Sequence, residues 1–112
     1  EYQSGQIWQG DCEDFMLVMT RELMRLGIAP ADIHLTLVGY ESANWYDHSV
    51  VLFRYKSDWH VIDNRVDGLS KPTRSNYFWI RHMSASKPGR WYNFTDSDLS
   101  FLGVKARPST GS

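Results

Sequence analysis

The sequence has only one cysteine, Cys12, and this scarcity excludes two kinds of stabilising site. A single thiol cannot form an internal disulfide, and it cannot complete a zinc site that needs two thiolates. Cys12 is therefore either a small buried side chain or a nucleophile.

Net charge and long apolar runs are lacking as well. Lys and Arg total 12 against 13 Asp and Glu, so the formal net charge is -1 and gives no electrostatic basis for binding nucleic acid or an acidic membrane surface. No apolar run approaches the roughly 20 residues of a membrane helix, and no signal-peptide pattern opens the chain. We expect no nucleic-acid partner and no direct membrane insertion. Because the sequence starts at Glu1, a removed export signal would leave no trace, and the residues indicate no compartment.

Apolar and aromatic residues are abundant enough for one compact domain. The 112 residues are 42% apolar, and five Trp, six Tyr and five Phe supply much of the expected core. We predict a single domain over residues 1–106. Residues 107–112 are small and polar and have nothing to bury, which predicts a disordered tail.

A helix is predicted over residues 11–26, because four apolar residues recur there at helical spacing: Met16, Met19, Leu23 and Leu26. Gly27 suits the left-handed position that follows a helix, and Pro30 cannot continue it. Cys12 then lies in the first helical turn.

Strands are predicted for the rest of the chain, at residues 33–40, 48–55, 59–62, 77–83 and 90–94. Residues 56–58 read as a hairpin turn, and the Gly, Pro and charge of residues 64–76 predict a long surface loop. One helix followed by an antiparallel sheet is an α+β layout.

The position of Cys12 favours a nucleophile. At a helix start, unpaired N–H groups and the positive end of the helix dipole stabilise a thiolate. Cys12 is also flanked by acidic residues rather than by Leu or Val. A buried structural thiol remains the alternative.

His48 and Asp63 are the candidate partners of that thiol. If Lys56 and Ser57 form the hairpin turn, His48 and Asp63 lie on one face at one end of the hairpin, and the carboxylate can orient the imidazole. Nucleophile, base and orienting acid are the three roles of thiol catalysis. A register shift of one residue would separate the pair. Taken singly, His48 could be a polar residue at a sheet edge and Asp63 a turn residue.

Three acidic residues surround the thiol and have two interpretations. Asp11 with Asp14 resembles a capping box. Together with Glu13, however, they place three carboxylates within one turn, and loop carbonyls could complete a Ca²⁺ site with them.

An oxyanion hole requires donors next to the nucleophile. The backbone N–H of Cys12 is one candidate, and the side-chain amide of Gln6 or Gln9 is a second. The other histidines show no metal-ligand spacing and are interpreted as polar strand positions: His34, His60 and His82.

Four stretches, in this order, match a known signature: GDCEDF at 10–15, LGI at 26–28, DHSVVL at 47–52 and VIDN at 61–64. They resemble the bacterial transglutaminase-like cysteine proteinases, whose best-known members are LapG-type periplasmic proteases that release biofilm adhesins. The match covers about residues 8–64, and its motifs are fairly specific.

The resemblance implies a papain-like, transglutaminase-like α+β core and a cysteine peptidase acting on a protein or peptide. It also implies export to the periplasm and allows a regulatory protein partner. Residue by residue, it implies that Cys12 is the nucleophile, His48 the general base and Asp63 the orienting carboxylate. It also implies that Asp11 and Glu13, with Asp14, are calcium ligands. Hydrolysis and acyl transfer to an amine share their first step, formation of the thioester. An amidase or a transglutaminase therefore remains an alternative to a peptidase. A binding module on the same fold is the alternative outside catalysis.

Overall fold

The computed structural model describes residues 11–39, 48–64, 68–74 and 77–104, with the side chains of 11–13 and 74 outside the description. In this part of the chain, α1 (Asp11–Arg25) is followed by β1 (Ile33–Gly39), β2 (His48–Tyr55), β3 (Asp58–Ile62), β4 (Leu69–Ser70), β5 (Phe78–Ser84), β6 (Tyr92–Asn93) and α2 (Asp96–Leu102). Two short 3-10 helices lie at Pro30–Asp32 and Pro72–Arg74. The α+β layout predicted from the sequence is confirmed.

The six strands form one antiparallel sheet in the order β4-β3-β2-β1-β5-β6. A helix packs on each face. On one face α1 covers a core of Met16, Leu23, Ile33, Leu35, Val51 and Phe53. On the other, α2 closes a core of Val38, Val50, Leu52, Val61, Trp79, Phe94, Leu99 and Leu102. Both faces of β2 are therefore covered, which explains its nearly unbroken apolar run.

Helix α1 ends where the sequence predicts. Gly27 has a φ of 103°, in the left-handed region that glycine tolerates. The N–H of Ile28 donates to the carbonyl of Leu23, and that of Gly27 to Met24, each at 3.0 Å. This Schellman pattern satisfies the last carbonyls of the helix and turns the chain toward β1. In the part of the chain that the structure describes, neither helix has the length and apolar character to cross a membrane.

The β2–β3 hairpin has the predicted turn. Lys56 and Ser57 have φ values of 54° and 69°, as a two-residue turn of type I′ requires. Tyr55 consequently pairs with Asp58, and the register runs without a shift to Val51.

Three features differ from the prediction. Residues 64–76 are not simply a loop, because β4 pairs with the end of β3 and Pro72–Arg74 forms a helical turn. The sequence interpretation also missed α2, although Thr95 and Asp98 form a reciprocal capping box and Gly103 ends the helix at a φ of 82°. The helix has seven residues, too few for apolar periodicity to reveal it. The predicted strand at 90–94 shortens to β6, and residues 107–112 lie outside the described residues.

The turn geometry yields a stability prediction. Ser57 occupies a left-handed conformation that a Cβ atom disfavours, so Ser57→Gly should raise the free energy of unfolding by about 1 kcal/mol. Ser100→Gly is the matched control: in the exposed face of α2 it should lower stability by about 0.5 kcal/mol. Urea unfolding measures both. A destabilised Ser57→Gly protein would contradict the type I′ assignment.

Candidate active site

His48 and Asp63 meet at one end of the β2–β3 hairpin. His48 is the first residue of β2, and Asp63 directly follows β3. Nε2 of His48 lies 2.7 Å from Oδ1 of Asp63, and the two side chains are 2% and 3% exposed. The hydroxyl of Tyr77 donates to the other carboxylate oxygen of Asp63. The structure thus brings together the two partners predicted from the sequence.

This contact sets the orientation of the imidazole ring. An ionised carboxylate only accepts hydrogen bonds, so with Asp63 in that form Nε2 of His48 is the donor. The Tyr77 ring packs 5.8 Å from the His48 ring between centroids, which holds the ring in place. A buried carboxylate is costly unless several donors satisfy it, and Asp63 has donors on both oxygens. The geometry therefore supports an oriented imidazole at a strand end.

The helices that cover the two faces of the sheet show where the His48–Asp63 pair lies relative to α1. His48 pairs with Val38 and precedes Val50 by two residues, so it shares the face of the α2 core. Helix α1 packs on the opposite face, against Val51 and Phe53. An approach from α1 to His48 must therefore pass the end of the sheet where β2 begins.

The remaining predicted site residues lie at the beginning of α1 or before it. Cys12 is the second residue of the helix, and its side chain is outside the described residues, as are those of Asp11 and Glu13. Gln6 and Gln9 are outside the described residues altogether. Asp14 is exposed in the first turn. Within the described ranges, no three His, Cys, Asp or Glu residues form a group that could hold a metal ion.

A second group of titratable residues was not predicted. His34 and His82 do occupy strands, as expected, but their Nδ1 atoms lie only 3.3 Å apart. Asp98 of α2 lies beside them, with 3.9 Å between its Oδ2 and Nε2 of His82. Residues 48 positions apart give no local spacing signal, and only the β1–β5 pairing brings them together.

The environment of these two histidines favours neutral rings. Burial lowers the pKa of His34 to about 4, with a further contribution from the neighbouring His82. Burial also lowers the pKa of His82, against the opposing effect of Asp98. A cavity of about 230 Å³ opens beside them, and Trp59, Phe94 and Phe101 are among its lining residues. His60, in contrast, stacks on Phe53, whose side chain belongs to the α1 face.

A family model described as bacterial transglutaminase-like cysteine proteinase BTLCP matches residues 2–99. The chain belongs to this family. No curated protein and no solved structure matches it. Membership of this proteinase family supports a cysteine protease-like enzyme with a protein substrate, and it agrees with the resemblance seen in the sequence motifs.

The Tyr77 contact can be tested through stability. Tyr77→Phe removes the hydroxyl that donates to buried Asp63, and hydrogen bonds to charged groups contribute about 1.5–3 kcal/mol. We expect a loss of that order in urea unfolding. Tyr92→Phe, at an exposed position of β6, is the matched control and should change stability by less than about 0.5 kcal/mol. Equal effects of the two substitutions would contradict a structural role of the Tyr77 hydroxyl.

Proposed function

We propose that the protein is a cysteine peptidase that cleaves an amide bond of a protein substrate through Cys12, His48 and Asp63. The buried hydrogen bond between His48 and Asp63 carries this proposal, because it supplies an oriented base at a strand end. Family membership supports a thiol as the nucleophile, and Cys12 is the only thiol in the chain.

The course of α1 supports a meeting of thiol and base. The helix ends near the start of β1, where Ile33 pairs with Phe53, at the end of β2 that is far from His48. A helix of 15 residues is about 22 Å long, and the five steps from Phe53 back to His48 span about 17 Å. If α1 runs back along β2, its first turn reaches the end of the sheet at which His48 lies. A papain-like or transglutaminase-like core has this arrangement, and we include it in the proposal.

The reaction would use Nδ1 of His48, because Asp63 takes Nε2. Nδ1 accepts the proton of the Cys12 thiol, and the thiolate attacks the amide carbon to form an S–C bond. When the C–N bond breaks, the proton passes from Nδ1 to the leaving amine and a thioester remains. Water then attacks the thioester while Nδ1 takes a proton, which returns to the departing thiolate. Asp63 holds the ring throughout and stabilises the imidazolium.

Two accessory groups complete the proposal. The backbone N–H of Cys12, with the side-chain amide of Gln6 or Gln9, would stabilise the oxyanion. Asp11, Glu13 and Asp14 would bind Ca²⁺, whose charge offsets the effect of three carboxylates on the neighbouring thiol. Carboxylate oxygens are the ligands that Ca²⁺ prefers, and exposed Asp14 is accessible for this role.

An amine in place of water would resolve the same thioester by acyl transfer, which would make the protein a transglutaminase. The outcome depends on which nucleophile the substrate groove admits, and product analysis with and without an added primary amine distinguishes the two.

The reactivity of Cys12 tests the catalytic pair. Alkylation by iodoacetamide should follow a thiolate that titrates well below the free value of about 8.5, because His48 accepts its proton. His48→Gln should return the profile toward that free value, whereas His60→Gln, on the opposite face of the sheet, should leave it unchanged. Asp63→Asn, which keeps the shape of the orienting side chain, should raise the apparent pKa of the thiol.

An ordinary thiol profile in the wild-type protein would overturn the proposed catalysis and favour a binding module on the same fold. Circular dichroism of each variant shows whether the sheet remains intact, so that a loss of reactivity is not confused with unfolding.

Calcium binding is tested by thermal unfolding. Millimolar Ca²⁺ should raise the melting temperature, since a ligand that binds only the folded state stabilises it. Asp11→Ala combined with Glu13→Ala should abolish the shift, and Asp96→Ala in the first turn of α2 is the control that should retain it. An unchanged melting temperature of the wild-type protein would discard the calcium site.

A further inference from the structure

The contact between His34 and His82 is not accounted for by the proposed catalysis. The two rings extend from neighbouring strands, β1 and β5, onto the face of the sheet that α2 covers. Their centroids lie 5.2 Å apart in an edge-on arrangement, and the approach is nitrogen to nitrogen. His48 pairs with Val38, four residues along β1 from His34, so His34 lies about 13 Å along the sheet from His48. The pair is therefore a separate cluster.

The two Nδ1 atoms lie 3.3 Å apart, within reach of a weak N–H···N hydrogen bond whose donor depends on the tautomers of the rings. A neutral imidazole ring has one nitrogen with an available lone pair. Neutral imidazole nitrogens are ligands for zinc, copper and nickel.

The same distance suits two ligands of one metal ion. Zinc binds histidine nitrogen at about 2.0–2.1 Å, and two such bonds at a tetrahedral angle place the nitrogens about 3.3–3.4 Å apart. The observed separation of 3.3 Å agrees with this value without movement of the strands. We propose that His34 and His82 form an open two-histidine site for a divalent transition-metal ion, bound through both Nδ1 atoms.

The surroundings provide what such a site needs. Metal-bound histidines are commonly oriented by a carboxylate on the opposite ring nitrogen, and Asp98 faces Nε2 of His82. The adjoining cavity of about 230 Å³ has room for solvent ligands at the remaining coordination positions. Since Asp98 also caps α2, a bound ion would link β1, β5 and α2.

Zinc titration by isothermal calorimetry at pH 7.5, in the absence of calcium, tests the site. Wild-type protein should bind one Zn²⁺ per chain at this cluster. His34→Gln and His82→Gln should each weaken that binding by at least about tenfold. His60→Gln is the matched control, because it removes a strand histidine from the opposite face, and its binding should be unchanged.

Cys12 and His48 could together bind zinc, so the titration is repeated with Cys12→Ser. The proposal requires that Cys12→Ser still binds zinc, whereas His34→Gln and His82→Gln bind it more weakly. Loss of all binding in Cys12→Ser, equal binding in every variant, or no binding at all would each overturn it. None of these three results alters the thiol reactivity test, so the two proposals fail separately.

A spectroscopic measurement on the wild-type protein avoids reliance on variants. In long-range ¹H–¹⁵N correlation spectra, zinc should shift the Nδ1 resonances of His34 and His82 and leave those of His60 in place. Shifts confined to other histidines would contradict the assignment.

Discussion

The register of the β2–β3 hairpin is the constraint on which the candidate site depends. Lys56 and Ser57 set a two-residue turn, and every pair beyond it follows, from Tyr55 and Asp58 onward. A slip of one residue would move Asp63 to the face opposite His48 and leave a buried carboxylate without its imidazole donor. The same slip would turn Val61 out of the α2 core and toward the α1 face. Packing and site geometry therefore select one register together.

The sequence was sufficient for the elements whose signals are local. The apolar spacing of α1 and its Gly27 stop predicted that helix, and the turn residues predicted the hairpin and hence the approach of His48 to Asp63. Motif order indicated the family that the family model independently matches. These features depend on residues close in sequence or joined by a single tight turn.

The features that the sequence interpretation missed depend on long-range pairing or on short elements. Helix α2 is too short for periodicity, and its signal is confined to the Thr95–Asp98 capping box and Gly103. Tyr77 reaches Asp63 only after the chain has passed β4, and no spacing rule connects them. The approach of His34 to His82 follows from the pairing of β1 with β5, which a single sequence does not reveal. Contacts between side chains were thus more predictable within one hairpin than between strands that are distant in sequence.

The outermost strands bear on how a peptide could be held. In the part of the chain that the structure describes, both β4 and β6 contain only two residues, so each presents a very short ladder of backbone donors and acceptors. Short edge strands protect a sheet against joining another chain edge to edge. They equally offer little surface for an extended peptide to add itself as a further strand. If the proposed peptidase binds an extended substrate, β4 and β6 would accordingly contribute few backbone hydrogen bonds to it.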